Sequence, residues 1–271
     1  MMASQTPPPP DHDLLTGQAL APAIPAATVV IFRDGVSGEP PQLLMVERTS
    51  QMVFAAGAAV FPGGRIDADD HVMADRLGAT DDRDDMAARV AAIRETLEET
   101  GLGIGFALPP PSDELEAARA RLHDGIAFSQ ICGEAGWDLH PELLTPFTRW
   151  RPPFNERRIF DTRFYLARDH GRNHVVQVDR TENRHLFWSS AAEVLERADR
   201  NELKVIFPTR CNLHRLAQFA SFDAAVAHAR AFPARMVVPF IEERDGASHL
   251  CIPDDLGYPV TSEPLDRAKR G

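Results

Sequence analysis

At 271 residues the chain is long enough to bury a large core without disulfides or a structural metal. Its three cysteines, Cys132, Cys211 and Cys251, form no CxxC pair and no cysteine-histidine ligand spacing, which excludes a zinc or dithiol centre and reads as three small buried hydrophobes. A formal net charge of -11 opposes long-range attraction to nucleic acid or an anionic membrane, leaving local basic sites for small anionic ligands.

Residues 1–25 open with prolines at 7–10 and lack helical or strand periodicity, which predicts a flexible tail. No charge occurs from Leu14 to Phe32, but Gly17, Gln18, Pro22 and Pro25 interrupt the stretch, and Asp11 and Asp13 stand where a signal peptide is basic. A cytoplasmic protein is expected. Residues 26–32 and 42–48, apolar runs across a Gly/Pro/Ser turn region, predict paired strands. After Phe61-Pro62-Gly63-Gly64 comes an acidic insertion-like stretch, then a helix from about Met86 to Thr100, with Asp85 as its cap and Gly101 as its stop. Residues 107–140 contain the prolines at 109–111 and two short helices starting near Ser112 and Ile126. Strands are predicted at 159–167, 174–178 and 186–188, helical patterns from Ser190 to about Ala231, and strands at 236–241 and 249–252 around the turn signal Asp245-Gly246.

The central helix carries the chemistry. At about 100° per residue, Met86, Val90, Ile93 and Leu97 form a core-facing stripe. Glu99 lies about 40° to one side of Glu95 and Glu98 about 60° to the other, gathering three carboxylates on the opposite face. Glutamates alone describe a solvated acidic face. Here Gly101 ends the helix at once and a Pro-Gly-Gly turn precedes it, so a loop can deliver backbone groups and a phosphate to the cluster. Clustered oxygens suit magnesium or manganese, whose charge cancels the repulsion and bridges to phosphate.

At these residues the sequence resembles the Nudix hydrolases, whose motif reads G-x5-E-x7-R-E-U-x-E-E-x-G-U with U aliphatic. Gly64 fills the first position, and Arg94, Glu95, Glu98, Glu99, Gly101 and Leu102 fill the second half in register. The resemblance implies that Glu95, Glu98 and Glu99 are metal ligands, with the Gly63 carbonyl and Glu182 as additional ones. It further implies that Glu95 or a neighbouring glutamate deprotonates water and that Arg94 orients the carboxylates. Asp70 stands at the first motif glutamate, 23 residues separate it from Arg94 where the family has 7, and Thr96 replaces an aliphatic residue. Asp67, Asp69 and Asp70 read as a hydrophilic loop edge or as further ligands. Glu182 has an equal reading as a strand-edge surface charge.

The resemblance implies an α/β fold of Nudix type, an α/β/α sandwich with a mixed sheet, over residues 26–195, with insertions near 71–84 and 107–140. Residues 196–271 then form a helical C-terminal extension packed on that core. Arg48, Gly57 and Phe61-Pro62-Gly63-Gly64 resemble the spaced arginine, glycine and FPGG of coenzyme A diphosphatases in this superfamily, although Thr49 replaces Ser or Ala and Val53 replaces a second arginine. The subgroup most resembled is that of the acyl-coenzyme A diphosphatases. Arg149, Arg151, Arg157, Arg158 and Arg163, interleaved with Trp150, Phe154, Phe160 and Phe164, suit an anionic ligand with a stackable ring or, alternatively, a charged strand over buried aromatics. Expected substrate contacts are therefore Arg48, Gly57, Gly64, Arg158 and Arg163. The expected partner is a small-molecule diphosphate, with a homodimer allowed and neither nucleic acid nor membrane. A nucleotide-metabolite sensor without turnover and a diphosphate-using isomerase are the competing functions, and the complete set of second-half glutamates speaks against loss of catalysis. No G-x-S-x-G elbow, P-loop or dinucleotide-binding glycine pattern is present.

Overall fold

A computed structural model describes residues 22–35, 38–49, 57–79, 82–152, 159–169 and 183–268. The expected tail up to residue 21, the strand at 174–178, Arg158 and Glu182 lie outside the described residues.

Strands β1 (Ile24–Arg33) and β2 (Gln42–Arg48) pair antiparallel only at Phe32↔Leu43 and Arg33↔Gln42, then diverge. Two short strands fill the fork. β3 (Ala59–Val60) pairs with β2 at Val46↔Val60, and β4 (Gly63–Arg65) pairs with β1 at Thr28↔Gly63. Phe61-Pro62 bridges them, with the Val29 N–H donating to the Pro62 carbonyl at 3.0 Å. The FPGG segment is thus a crossover inside the sheet that delivers Gly63 and Gly64 to its end.

The acidic stretch beyond is a helix, α1 (Ala68–Arg76), and not the predicted loop. Only Met73 and Ala74 give it a buried apolar edge, too little for a recognisable helical stripe. Its first turn is closed by the Asp70 carboxylate, which accepts the Asp67 N–H at 2.8 Å. Helix α2 (Arg83–Thr100) starts earlier than predicted because Asp82, rather than Asp85, caps it, accepting the Asp85 N–H at 2.8 Å. Asp85 instead accepts the Arg89 Nε at 2.6 Å and the hydroxyl of Tyr165, on β6 (Phe160–Arg168), at 2.7 Å, tying the helix start to the sheet. Gly101, at φ 78°, ends it.

Helices α3 (Ser112–His123) and α4 (Phe128–Ala135) are the two short helices expected within residues 107–140, the second starting two residues later than predicted. The sheet continues with β5 (Thr145–Trp150), antiparallel to β6, while β6 runs parallel to β1. Strand β7 (Asn183–Ser190) pairs with β2, and α5 (Ala191–Asp199), α6 (Phe207–Leu216) and α7 (Phe222–Ala231) follow. One face of this mixed sheet packs Val29, Ile31 and Leu44 against Val90, Ile93 and Leu97 of α2. The other packs Val30, Phe32, Met45 and Phe164 against α5, α6 and α7. Residues of β1 alternate between the two layers, as a strand buried on both faces requires, so the fold is an α/β/α sandwich.

The extension is not purely helical. β8 (Met236–Val237) joins the main sheet in parallel with β5, whereas β9 (Phe240–Arg244), β10 (Ala247–Cys251) and β11 (Ser262–Pro264) form a separate antiparallel sheet, followed by α8 (Leu265–Ala268). Asp245 and Gly246 have φ of 51° and 79°, the geometry of a two-residue hairpin turn, which is why β9 and β10 form. Buried Tyr258 stitches this segment inward, its hydroxyl lying 2.8 Å from the Thr148 hydroxyl, donating to Asn212 at 2.9 Å and accepting the Trp150 indole N–H at 3.0 Å. Among the described residues no helix is long and apolar enough to cross a membrane.

Candidate active site

The site is built where β4 meets the last two turns of α2. Gly63 is required by close approach to backbone, and Gly64 leaves room for the Glu95 carboxylate. A Cβ on Gly63 would lie 2.3 Å from the Ala27 carbonyl oxygen, and one on Gly64 would lie 2.4 Å from the Glu95 carboxylate. With that space open, the Gly63 N–H donates to Glu99 at 3.1 Å. Gly63 thus meets the cluster through its N–H, and Gly64 provides the clearance for Glu95.

Arg94 organises the rest. It is 7% exposed and donates two parallel bonds to Asp70, each 2.9 Å, one to Glu95 at 2.8 Å and one to the Arg65 carbonyl at 3.0 Å. Glu98 stands 3.7 Å from it. Burial acts to lower the guanidinium pKa, but the bonds to Asp70 and the negative charges of Glu95 and Asp70 outweigh it and leave the pKa raised. Asp70 is completely buried. The aspartate at the motif's first acidic position is therefore an anchor for Arg94 and part of α1. Asp69 has a different task, accepting the backbone N–H of Ser129 at 2.9 Å and so fastening α1 to α4.

The three glutamates differ in environment. Burial, with help from the like charge of Glu98 and against the pull of Arg94, pushes Glu95 up to about 7. Glu99 is 6% exposed, whereas the Glu98 side chain retains 34% of its accessibility. A brace not foreseen from sequence holds the helix end: Arg119 of α3 donates to the carbonyls of Glu98 at 2.8 Å and Glu99 at 3.0 Å. The donors are all oxygen, and burial together with the like charge of Glu98 raises the proton affinity of Glu95, so the residues fit a hard divalent cation by chemistry. Among the described residues no three acidic, His or Cys side chains are gathered into a closed ligand group. Arg94 holds Glu95 and Glu98, and the Gly63 N–H holds Glu99.

A cavity of about 570 Å³ adjoins the turn and is lined by Gly63, Thr28, Arg48 and the aromatic residues Phe61, Trp150 and Phe164. Arg48 thus stands beside the Gly63 turn. Gly57 serves chain direction, with φ 68° and its N–H on the Thr49 carbonyl at 3.3 Å, and it is not among the cavity-lining residues. Arg163 does not share this cavity. With Arg149 and Arg151 it lines a concavity bounded by His71 and Asp84 on the helix side of the sheet, and Arg149 there forms a two-bond pair with Asp161 at 2.7 and 2.6 Å. Alternation along β6 sends Phe160, Thr162 and Phe164 to the cavity and Asp161 and Arg163 to the other face.

No family model matches the chain. It is 28% identical over 236 residues to the acyl-coenzyme A diphosphatase NUDT19 of Gallus gallus, and 30% identical over 239 residues to the protein of the same name from Homo sapiens. Each match covers 67% of this chain and 62% of the relative, so the chain spans less than two thirds of their length. A solved structure, the NUDIX hydrolase from Alicyclobacillus acidocaldarius, is similar at 30% identity and a TM-score of 0.64, over 77% of this chain and 97% of that one. That match in both sequence and fold spans nearly all of a solved Nudix hydrolase, and the motif residues Gly64, Arg94, Glu95, Glu98 and Glu99 come together here at one sheet end: the chain belongs to the Nudix hydrolase family.

Proposed function

We propose that the chain hydrolyses the diphosphate linkage of a nucleoside diphosphate conjugate, with coenzyme A or an acyl-coenzyme A as the substrate class and magnesium or manganese as cofactor. The observation that carries this reading is the gathering of Glu95 and Glu98 beside Arg94, and of Glu99 on the Gly63 N–H, at a turn where a Cβ on Gly63 would meet backbone. When bound to these carboxylates, the divalent cation supplies charge neutralisation for the phosphates. In this reading water attacks phosphorus, the bond to the leaving phosphate oxygen breaks, and a carboxylate takes the water proton. Burial raises the proton affinity of Glu95 in the metal-free site, the direction that a base working near neutrality needs. Arg94 orients Glu95, and Arg48 is the cation beside the turn that suits a phosphate oxygen. The similarity to proteins named acyl-coenzyme A diphosphatase supports the substrate class. The acidic net charge fits a small-molecule substrate better than nucleic acid or an anionic membrane, and the proposed setting is the cytoplasm, with the chain as a monomer or a homodimer.

The test is a panel of coenzyme A, acyl-coenzyme A and ADP-ribose with magnesium, resolved by mass spectrometry in water labelled with oxygen-18. The expected products are 4′-phosphopantetheine or its acyl form and adenosine 3′,5′-bisphosphate, with label in one product phosphate. Cleavage of ADP-ribose alone would keep the reaction and reject the substrate class, and intact substrates throughout would reject both.

A further inference from the structure

The cavity beside Gly63 has three walls of different origin, one of them the start of α6 with Ile206, Phe207, Pro208 and Thr209. Its inner wall is the sheet, with Phe61, Trp150 and Phe164. The segment after α7 contributes Pro239, Ile241, Leu250, Leu265 and Ala268, every one apolar. Ile241 keeps 49% of its accessible surface, so this wall is open to a ligand. The polar lining side chains are Thr28, Arg48, Thr162 and Thr209, and Thr28 and Arg48 belong to the strands that frame the catalytic turn.

We propose that this cavity seats the apolar arm of the diphosphate substrate, an acyl chain on its thioester end, and that the C-terminal sheet and α8 are the wall that selects for that arm. The proposal rests on the diphosphate-cleaving reading above. Continuity supports it, since Gly63 lines the cavity and donates to Glu99, so one extended ligand reaches both. The alternative occupant, a purine, presents ring nitrogens and an amino group that lose hydrogen bonds in a largely apolar setting. Among the described residues, three threonines and one arginine offer few groups to replace them, and no lining residue there is Asp, Glu, Asn or Gln. An alkyl chain asks for none.

Two measurements on the full chain test this. The first is the ratio of kcat/KM for octanoyl- over acetyl-coenzyme A, with magnesium, in the wild type and in Ile241→Glu and Ala268→Trp. The wild-type ratio should be on the order of 100, the worth of one or two well-seated methylenes. Each variant should bring it below about 5, one by charging the wall and the other by filling the space. Circular dichroism confirms that each variant is folded, and the two substitutions act by different means. The second is calorimetric titration of S-octanoyl-pantetheine, which has no diphosphate. The wild type should bind it and both variants should bind it at least about tenfold more weakly. Binding that weakens in the variants without cleavage of any diphosphate would reject the hydrolase reading while upholding the cavity assignment. A wild-type ratio near 1, or folded variants with an unchanged ratio and unchanged binding, would overturn the proposal.

Discussion

Arg94→Met should be among the most destabilising single changes in the site. The arginine makes two 2.9 Å bonds to Asp70, whose side chain is completely buried. Methionine approximates the aliphatic stem, so the main loss is the partner of a carboxylate that cannot reach water. Asp70 would retain its bond from the Asp67 N–H. Removing one member of a buried ion pair costs about 3–5 kcal/mol, and in a chain of this size each kcal/mol corresponds to roughly 2–4 °C in melting temperature. Asp70→Asn in the same background removes the stranded charge, so the double variant should recover at least about 2 kcal/mol relative to Arg94→Met. Urea unfolding followed by circular dichroism, with EDTA present, provides all four corners of the cycle, and the slope against urea must stay constant for the comparison to hold. A loss below about 1 kcal/mol in Arg94→Met, or losses that simply add in the double variant, would refute the anchoring role of Asp70.

Glu95→Gln should lower kcat about 100- to 10,000-fold with a smaller change in KM, and steady-state kinetics showing normal turnover would remove Glu95 from the chemistry. The same residue predicts a pH effect on metal-free stability. Its folded-state pKa, about 7, lies above the ordinary 4.5, so its contribution is fully present below about pH 4.5 and is lost as pH rises through about 7. Relative to wild type, Glu95→Gln should therefore gain stability between pH 5 and pH 8, by at most about 3 kcal/mol, and equal pH dependence in the two proteins would contradict this. Glu98→Gln should weaken magnesium affinity and turnover while the far-ultraviolet spectrum stays native, a result read by metal titration. Arg119→Met releases the carbonyls of Glu98 and Glu99, and should cost about 1–3 kcal/mol and lower kcat more than it raises KM. Arg119→Lys should restore part of the rate.

The glutamate helix was legible because its signals are local: apolar spacing, carboxylate spacing and a terminal glycine all lie within α2. The runs of β1 and β2 were legible for the same reason. Helix α1 was not, since two buried apolar residues carry little periodicity and its fixing partners, Arg94 and Ser129, lie 24 and 60 residues away from Asp70 and Asp69. Arg119 reaches back 21 residues to the Glu98 carbonyl, a bond to backbone that no side-chain pattern announces. The separation of Arg163 from the cavity is readable in the strand alternation. Aromatics and arginines that alternate along a strand face opposite sides of it, so Phe160 and Phe164 could not share a surface with Arg163. The antiparallel sheet in the extension followed from the Asp245-Gly246 turn signal, while its service as a cavity wall depends on packing that only the tertiary fold supplies.

The three bonds of the Tyr258 hydroxyl also bear on how the protein is made. Its partners Thr148 and Trp150 precede it by 110 and 108 residues, among the longest separations bridged by side chains here. Contacts of that span cannot form until both partners have been synthesised. During synthesis the central sheet and the glutamate helix are complete while Tyr258 has yet to emerge. Trp150 and Thr148 then lack the hydroxyl that satisfies them, and the apolar surface around Phe164 and Phe207 stays uncovered. Such a nascent chain exposes an adhesive surface while the carboxylates of α2 are already in place, so its yield on expression should depend on how fast the segment around Tyr258 docks.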